Sequence, residues 1–197
     1  MRVAVVTIFP EMFDALTEYG VTRRAFEKNI IEIKYFNPRD FTDDIHNSID
    51  DRPYGGGPGM VMSPEPLKNA IVEAKQWINS KVKVIYLSPQ GKLMNQSRIK
   101  ALSEEENLIF LAGRYEGIDE RIILNHVDYE LSIGDYIVSG GELPAMVVLD
   151  AIIRYKPGVL GNDESVHQES FSEGIFDSPN YTSCLLYTSP SPRDLDL

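Results

Sequence analysis

Residues 3–8, Val-Ala-Val-Val-Thr-Ile, form an apolar, mostly β-branched run, the pattern of a strand buried on both faces. Pro10 suits the first turn of a helix reaching to about Leu16, and a second helix is predicted over Val21–Lys28. Ile30–Phe36 alternates apolar and polar positions as a strand does. Residues 37–62 are polar and glycine-rich and read as one long loop. Ser63-Pro64 supplies an N-cap and a first-turn proline for a helix to about Ile78. Three strand–helix units follow: strand Val82–Leu87 with helix 95–103, strand Leu108–Ala112 with helix 118–124, and strand Val127–Ile133 with helix 142–155. Alternation of this kind predicts an α/β fold, a mostly parallel sheet with helices on both faces.

The last of these helices is unusual. Nine of the eleven residues from Leu143 to Ile153 are apolar, leaving Pro144 and Asp150. A helix apolar on every side must be covered on every side. Its own sheet covers one face; core burial or a second copy of the chain covers the other, and the second copy would place Arg154 near a subunit interface.

Composition narrows the class. Of 197 residues, 43% are hydrophobic and 25% charged, as in an ordinary globular domain. The lone cysteine, Cys184, excludes an internal disulfide and a cysteine-based zinc site. No apolar run approaches the ~18 residues of a membrane span, and the N-terminus shows no cleavage-site pattern, so a cytoplasmic protein without a membrane partner is expected. The net charge is −11, but residues 161–197 hold seven acids and one base, leaving −5 for residues 1–160. That balance argues against a nonspecific nucleic-acid coat, not against a local basic patch. Arg23, Arg24 and Lys28 fall on one predicted helix and read equally as such a patch or as a solvated face.

Candidate chemistry collects at the strand ends. In an open parallel sheet, ligands bind beyond the carboxyl ends of the strands. Three successive strands here run into Ser88-Pro89-Gln90-Gly91, Gly113-Arg114-Tyr115-Glu116-Gly117 and Gly134-Asp135-Tyr136-Ile137-Val138-Ser139-Gly140-Gly141. Glycines admit close approach and Tyr136 offers a stacking surface, so the three loops together point to one shared ligand crevice. There is no phosphate-loop motif and no dinucleotide fingerprint after the first strand. Gly55-Gly56-Gly57-Pro58-Gly59 reads as an anion cradle or as a flexible turn. His46, His126 and His167 lack metal-ligand spacing, so no metal site is read from the sequence.

Six stretches resemble bacterial tRNA (guanine-N1)-methyltransferases, which act on the guanine beside the anticodon, position 37. They are Ile8–Phe13 (IFPEMF), Asp51–Met60 (DRPYGGGPGM), Tyr86–Gly91 (YLSPQG), Gly113–Arg121 (GRYEGIDER), Ser132–Tyr136 (SIGDY) and Gly140–Ala145 (GGELPA). The resemblance covers residues 1–182. It implies a SPOUT-class fold with a deep trefoil knot, a rare exception to the rule against knots, and a homodimer. It implies S-adenosylmethionine bound within the strand-end loops by Leu87, Ser88, Pro89, Gly113, Ser132, Ile133, Gly134, Asp135, Tyr136, Ile137, Val138, Gly140, Gly141 and Pro144. It places the guanine of tRNA near Tyr115 and Glu116 and assigns chemistry to Arg154 and a linker carboxylate. Such enzymes are associated with Mg2+, for which no ligand cluster stands out in the sequence.

The physics of that reaction is general. A methyl group leaves a sulfonium by in-line displacement, so positioning supplies up to ~7–11 kcal/mol. Guanine N1 is protonated at neutral pH, and a carboxylate general base contributes typically ~10²–10⁴-fold. Charge then grows on O6, where Arg154 could meet it, and the base must be unstacked, as an anticodon loop allows. Where the family has aspartate before Ser-Phe, this chain has Glu169, one methylene longer, which is expected to serve as the base.

The expected organisation is a methyltransferase domain over 1–160, then an acidic linker and the start of a truncated tRNA-binding domain over 161–182. A tail outside the family pattern follows over 183–197, where the sequence resembles translated vector. Truncation leaves two alternatives: an inactive nucleotide- or RNA-binding module, or a SPOUT methyltransferase acting on another RNA.

Overall fold

The N-terminal apolar run becomes strand β1 (Arg2–Val6), buried from Val3 onward. In this computed structural model, residues 1–161, 170–171, 179 and 181–182 are described. Glu169, most of the linker and the tail from residue 183 lie outside them. The chain divides into two compact units, Met1–Asp163 and Glu164–Leu197, and every element below belongs to the first.

After β1, a 3₁₀ turn at Pro10–Phe13 leads into helix α1 (Asp14–Thr17), then α2 (Arg23–Glu27) and strand β2 (Glu32–Phe36). On α2, Arg23 pairs with Glu27, and the Lys28 Nζ just beyond donates to the distant Gly158 carbonyl, so two of the three basic residues have partners within the chain. The long predicted loop holds more structure than its composition suggests. It contains a 3₁₀ turn at Pro38–Phe41 and a short antiparallel pair, β3 (Asp50–Asp51) with β4 (Val61–Met62), anchored by fully buried Ile49 and Met62.

Helix α3 (Pro64–Ile78) buries Leu67, Ala70, Ile71, Ala74 and Ile78, the spacing of one helical face, and ends at left-handed Asn79. Ser63 occupies the N-cap position but its side chain makes no capping bond; its N–H donates to the Ile49 carbonyl instead. There follow β5 (Lys83–Leu93), α4 (Gln96–Ser103), β6 (Asn107–Leu111), α5 (Glu120–His126), β7 (Tyr129–Ser132) and α6 (Glu142–Arg154).

The five long strands form one parallel sheet in the order β2-β1-β6-β5-β7. Alternation along the strands divides the core. Val3, Val5, Ile85, Phe110 and Leu131 pack with α6, α4 and the α1 region, whereas Ala4, Val6, Val84, Ile109 and Leu111 pack with α3 and α5.

One expectation fails at β5. The sequence pattern ends the strand at Leu87, yet extended backbone continues to Leu93, through the Ser88–Gly91 loop segment. Leu131 of β7 is the register partner of both Leu87 and Lys92, with the irregularity between them. At Gly91 the chain lies directly on the β7 backbone: a Cβ there would collide with Glu130 and Leu131 main-chain atoms. The strand can pass β7 there only because residue 91 lacks a side chain.

Candidate active site

Because β5, β6 and β7 are parallel neighbours, their carboxyl ends and the loops that follow lie at one edge of the sheet. The loops wall a cavity of about 360 Å³, within the range of small-ligand sites. From β5 come Leu87, Ser88 and Pro89; from the end of β6, Gly113, Tyr115 and Glu116; from the end of β7, Ser132, Ile133, Gly134, Tyr136, Ile137, Val138, Gly140 and Gly141; and Pro144 adds the first turn of α6. Asp135 is exposed and does not line this cavity.

The loops are braced by main-chain contacts. The Gly141 N–H donates to the Gly113 carbonyl at 2.8 Å, and a Cβ on residue 141 would stand 2.7 Å from the Ala112 Cα. The third loop therefore crosses the end of β6 backbone on backbone. Ser132 Oγ donates to the Gly134 carbonyl at 3.0 Å, closing the turn that leaves β7.

The long glycine-rich segment forms part of the same edge. The Glu116 N–H donates to the Met60 carbonyl at 2.9 Å, the Met62 N–H to the Gly117 carbonyl at 3.0 Å, and the Asp119 N–H to the Met62 carbonyl at 3.1 Å. The Glu116 side chain fills the space a Cβ at Gly59 would need. Between these contacts Tyr115 adopts a left-handed backbone (φ 61°), rare for a residue other than glycine or asparagine, and is 45% exposed at the cavity.

Tyr86, Arg114, Gly117, Leu131 and Ser139 also line the cavity; the sequence places Arg114, Gly117 and Ser139 in the strand-end loops without an individual role, and Tyr86 and Leu131 only within predicted strands. Tyr86 is a strand residue whose ring lies where a Cβ of Gly113 would be, so pairing of β5 with β6 was needed to find it. Burial, aided by the Glu130 carboxylate, pushes its phenol up to about 12, so it is a neutral hydroxyl at physiological pH. Arg114 and Glu116 are the charged residues among the described lining. Arg114 Nε donates to Glu142 Oε2 at 2.8 Å, and Glu142 is fully buried.

Arg154 is not brought to this cavity within its own chain. It ends α6, twelve residues beyond Glu142, or ~18 Å along the helix axis. Among the described residues there is no group of three or more His, Cys, Asp or Glu that could hold a metal ion. No helix among the described residues is long and apolar enough to cross a membrane.

Fold and cavity together define an α/β protein with a cavity of small-ligand size at the carboxyl edge of a parallel sheet. Residues 1–193 match the family described as tRNA (guanine-1)-methyltransferase. Curated tRNA (guanine-N(1)-)-methyltransferases from Pseudomonas putida strain W619 and Pseudomonas entomophila strain L48 are each 53% identical, over 99% of this chain and 78% of theirs. Among solved structures, the tRNA (m1G37) methyltransferase of Aquifex aeolicus superposes with a TM-score of 0.72 at 39% identity, over 87% of this chain and 78% of that one. The chain belongs to the tRNA (guanine-1)-methyltransferase family, enzymes that place a methyl group on guanine N1 of tRNA.

Proposed function

We propose that the strand-end cavity binds S-adenosylmethionine and that the methyl group goes to N1 of the guanine at position 37 of tRNA, in the cytoplasm. The observation that carries this reading is the convergence of three glycine-containing strand-end loops on one cavity, whose charged lining residues among those described are Arg114 and Glu116. A nucleoside held by a loop wall suits main-chain donors and acceptors at Leu87, Gly113, Ile133, Gly134, Tyr136, Val138 and Gly140. The bound donor supplies an electrophilic methyl on a sulfonium. Everything else falls to the chain: Tyr115 and Glu116 take the guanine at the mouth, and Glu169 removes the N1 proton.

Arg154 meets the charge developing on O6. Standing at the far end of α6 from its own cavity, it serves the cavity of a second copy, so the active species is a homodimer. The exposed apolar residues on α6, Leu143 (46%) and Val147 (54%), support that reading. The same reading includes the trefoil knot that the family resemblance implies.

Titration calorimetry of the chain with S-adenosylmethionine tests the cavity assignment. Saturable binding that is lost on Gly134→Val supports it; a folded chain that ignores the donor contradicts it.

A further inference from the structure

Arg114 poses an electrostatic problem for any cationic ligand in this cavity. Its guanidinium lies in the lining, packed over the Phe9 ring at 4.6 Å from the centroid, with Nη1 donating to the Ser139 carbonyl at 3.2 Å and Nη2 3.3 Å from Met12 Sδ. Its Nε and Cδ occupy the space a Cβ on Gly140 would need. The arginine is thus pinned against the loop that walls the ligand, and its side chain is 18% exposed.

Beneath it lies Glu142, with no exposed surface and both carboxylate oxygens engaged: Oε2 accepts from Arg114 Nε at 2.8 Å, and Oε1 accepts from Thr7 Oγ1 at 2.9 Å. Glu142 sits in the first turn of α6, where the helix dipole favours an anion. Thr7, just past β1, also receives the Phe9 N–H on its Oγ1 at 3.0 Å, which orders the stretch carrying the ring beneath Arg114. A carboxylate so shielded from water acts over several ångströms with little screening.

Resting on the cavity being the donor site, we propose that Glu142, held by Thr7, is the counter-charge that cancels Arg114 and lets the cavity accept a sulfonium. It sets how well the enzyme tells the cationic donor from its neutral thioether product, S-adenosylhomocysteine. Glu142 does not line the cavity; it acts through Arg114 and is a positioning residue. The two ligands share almost every contact and differ by the methyl group and the charge on sulfur. A packing defect therefore weakens both alike, whereas an uncompensated guanidinium weakens the cation selectively.

The test is calorimetric titration of the full chain with S-adenosylmethionine and, separately, with S-adenosylhomocysteine at low salt. Glu142→Gln is expected to lower affinity for the sulfonium about tenfold, equivalent to about 1.4 kcal/mol, with a change of at most about threefold for the thioether, the gap narrowing at high salt. Arg114→Gln, which keeps a donor for Glu142 while deleting the positive charge, is expected to shift the ratio several-fold in the opposite direction. Equal weakening of both ligands in folded Glu142→Gln, or no effect on either, overturns the proposal. If that variant does not fold, Arg114→Gln decides alone: an unchanged ratio, or one moved toward the thioether, overturns it. A wild-type chain that binds neither ligand overturns instead the assignment of the cavity, and this proposal with it.

Discussion

At the scale of single residues, the site depends on places where no side chain fits. Gly141 crosses Ala112 and Gly113 backbone on backbone, and neither segment can retreat without breaking the Gly141 N–H bond to Gly113. Gly141→Ala is expected to lower stability by about 1–3 kcal/mol in thermal or denaturant unfolding and to weaken donor binding more than tenfold. Asp119 carries a different kind of effect. It caps α5, accepting from the Arg121 N–H at 2.9 Å, and pairs with the Arg121 guanidinium at 2.7 Å. The hydrogen bonds from the Arg121 side chain hold its carboxyl below the usual aspartate range. A carboxylate with a depressed folded value contributes stability that is complete above its ordinary value near ~4 and is lost as pH falls through the folded one. Asp119→Ala should therefore cost about 1 kcal/mol at pH 7, and the difference from wild type should shrink steadily in unfolding curves below about pH 4. The glycines were visible in the sequence, but their reasons were not. Gly91 needs its missing side chain because of Glu130 and Leu131, and Arg114 finds Glu142 across 28 positions. Such pairings leave no local pattern, which is why Arg114 entered the reading only as part of a motif.

Among the elements, α6 joins the cavity to the dimer proposed above. One end supplies Pro144 to the cavity wall and Glu142 to Arg114; the other end carries Arg154; the exposed side presents Leu143 and Val147. The apolar pattern that made this helix conspicuous in the sequence is divided in the fold between a buried face, including Ala145, Val148, Leu149, Ile152 and Ile153, and that exposed stripe. If Arg154 serves the second copy, subunit mixing reveals it. Co-expressed Arg154→Ala and Glu116→Ala chains, each inactive alone, should recover roughly a quarter of wild-type activity under random pairing, because one site in each mixed dimer is intact. No recovery in mixed dimers, confirmed by tagged co-purification, places Arg154 in its own chain's site. Replacing Leu143 and Val147 together by glutamate should yield monomers in sedimentation and abolish methyl transfer. Strand β5 shows where elements resist sequence reading: Ser88–Gly91 carries turn residues, yet tertiary pairing of Lys92 and Leu93 with β7 draws the segment into extended backbone.

For the whole molecule, the architecture was largely legible. β-Branched strand runs alternating with helical patterns gave a parallel sheet covered on both faces, and alternation within each strand divides the two cores. The site was legible as loops at strand ends, because a parallel sheet gathers those ends at one edge. What lay hidden was the contribution of residues 37–62. Their polar, glycine-rich composition concealed a short strand pair; Met62 within it and Met60 just before it brace the Tyr115–Glu116 loop by backbone hydrogen bonds. The most direct measurement is a single-turnover reaction of the chain with methyl-labelled S-adenosylmethionine and tRNA transcripts, followed by nucleoside analysis. A transcript with guanine at position 37 should yield labelled 1-methylguanosine, and one with adenine there should yield none. Label on any other nucleoside, or undiminished in the adenine transcript, contradicts the account.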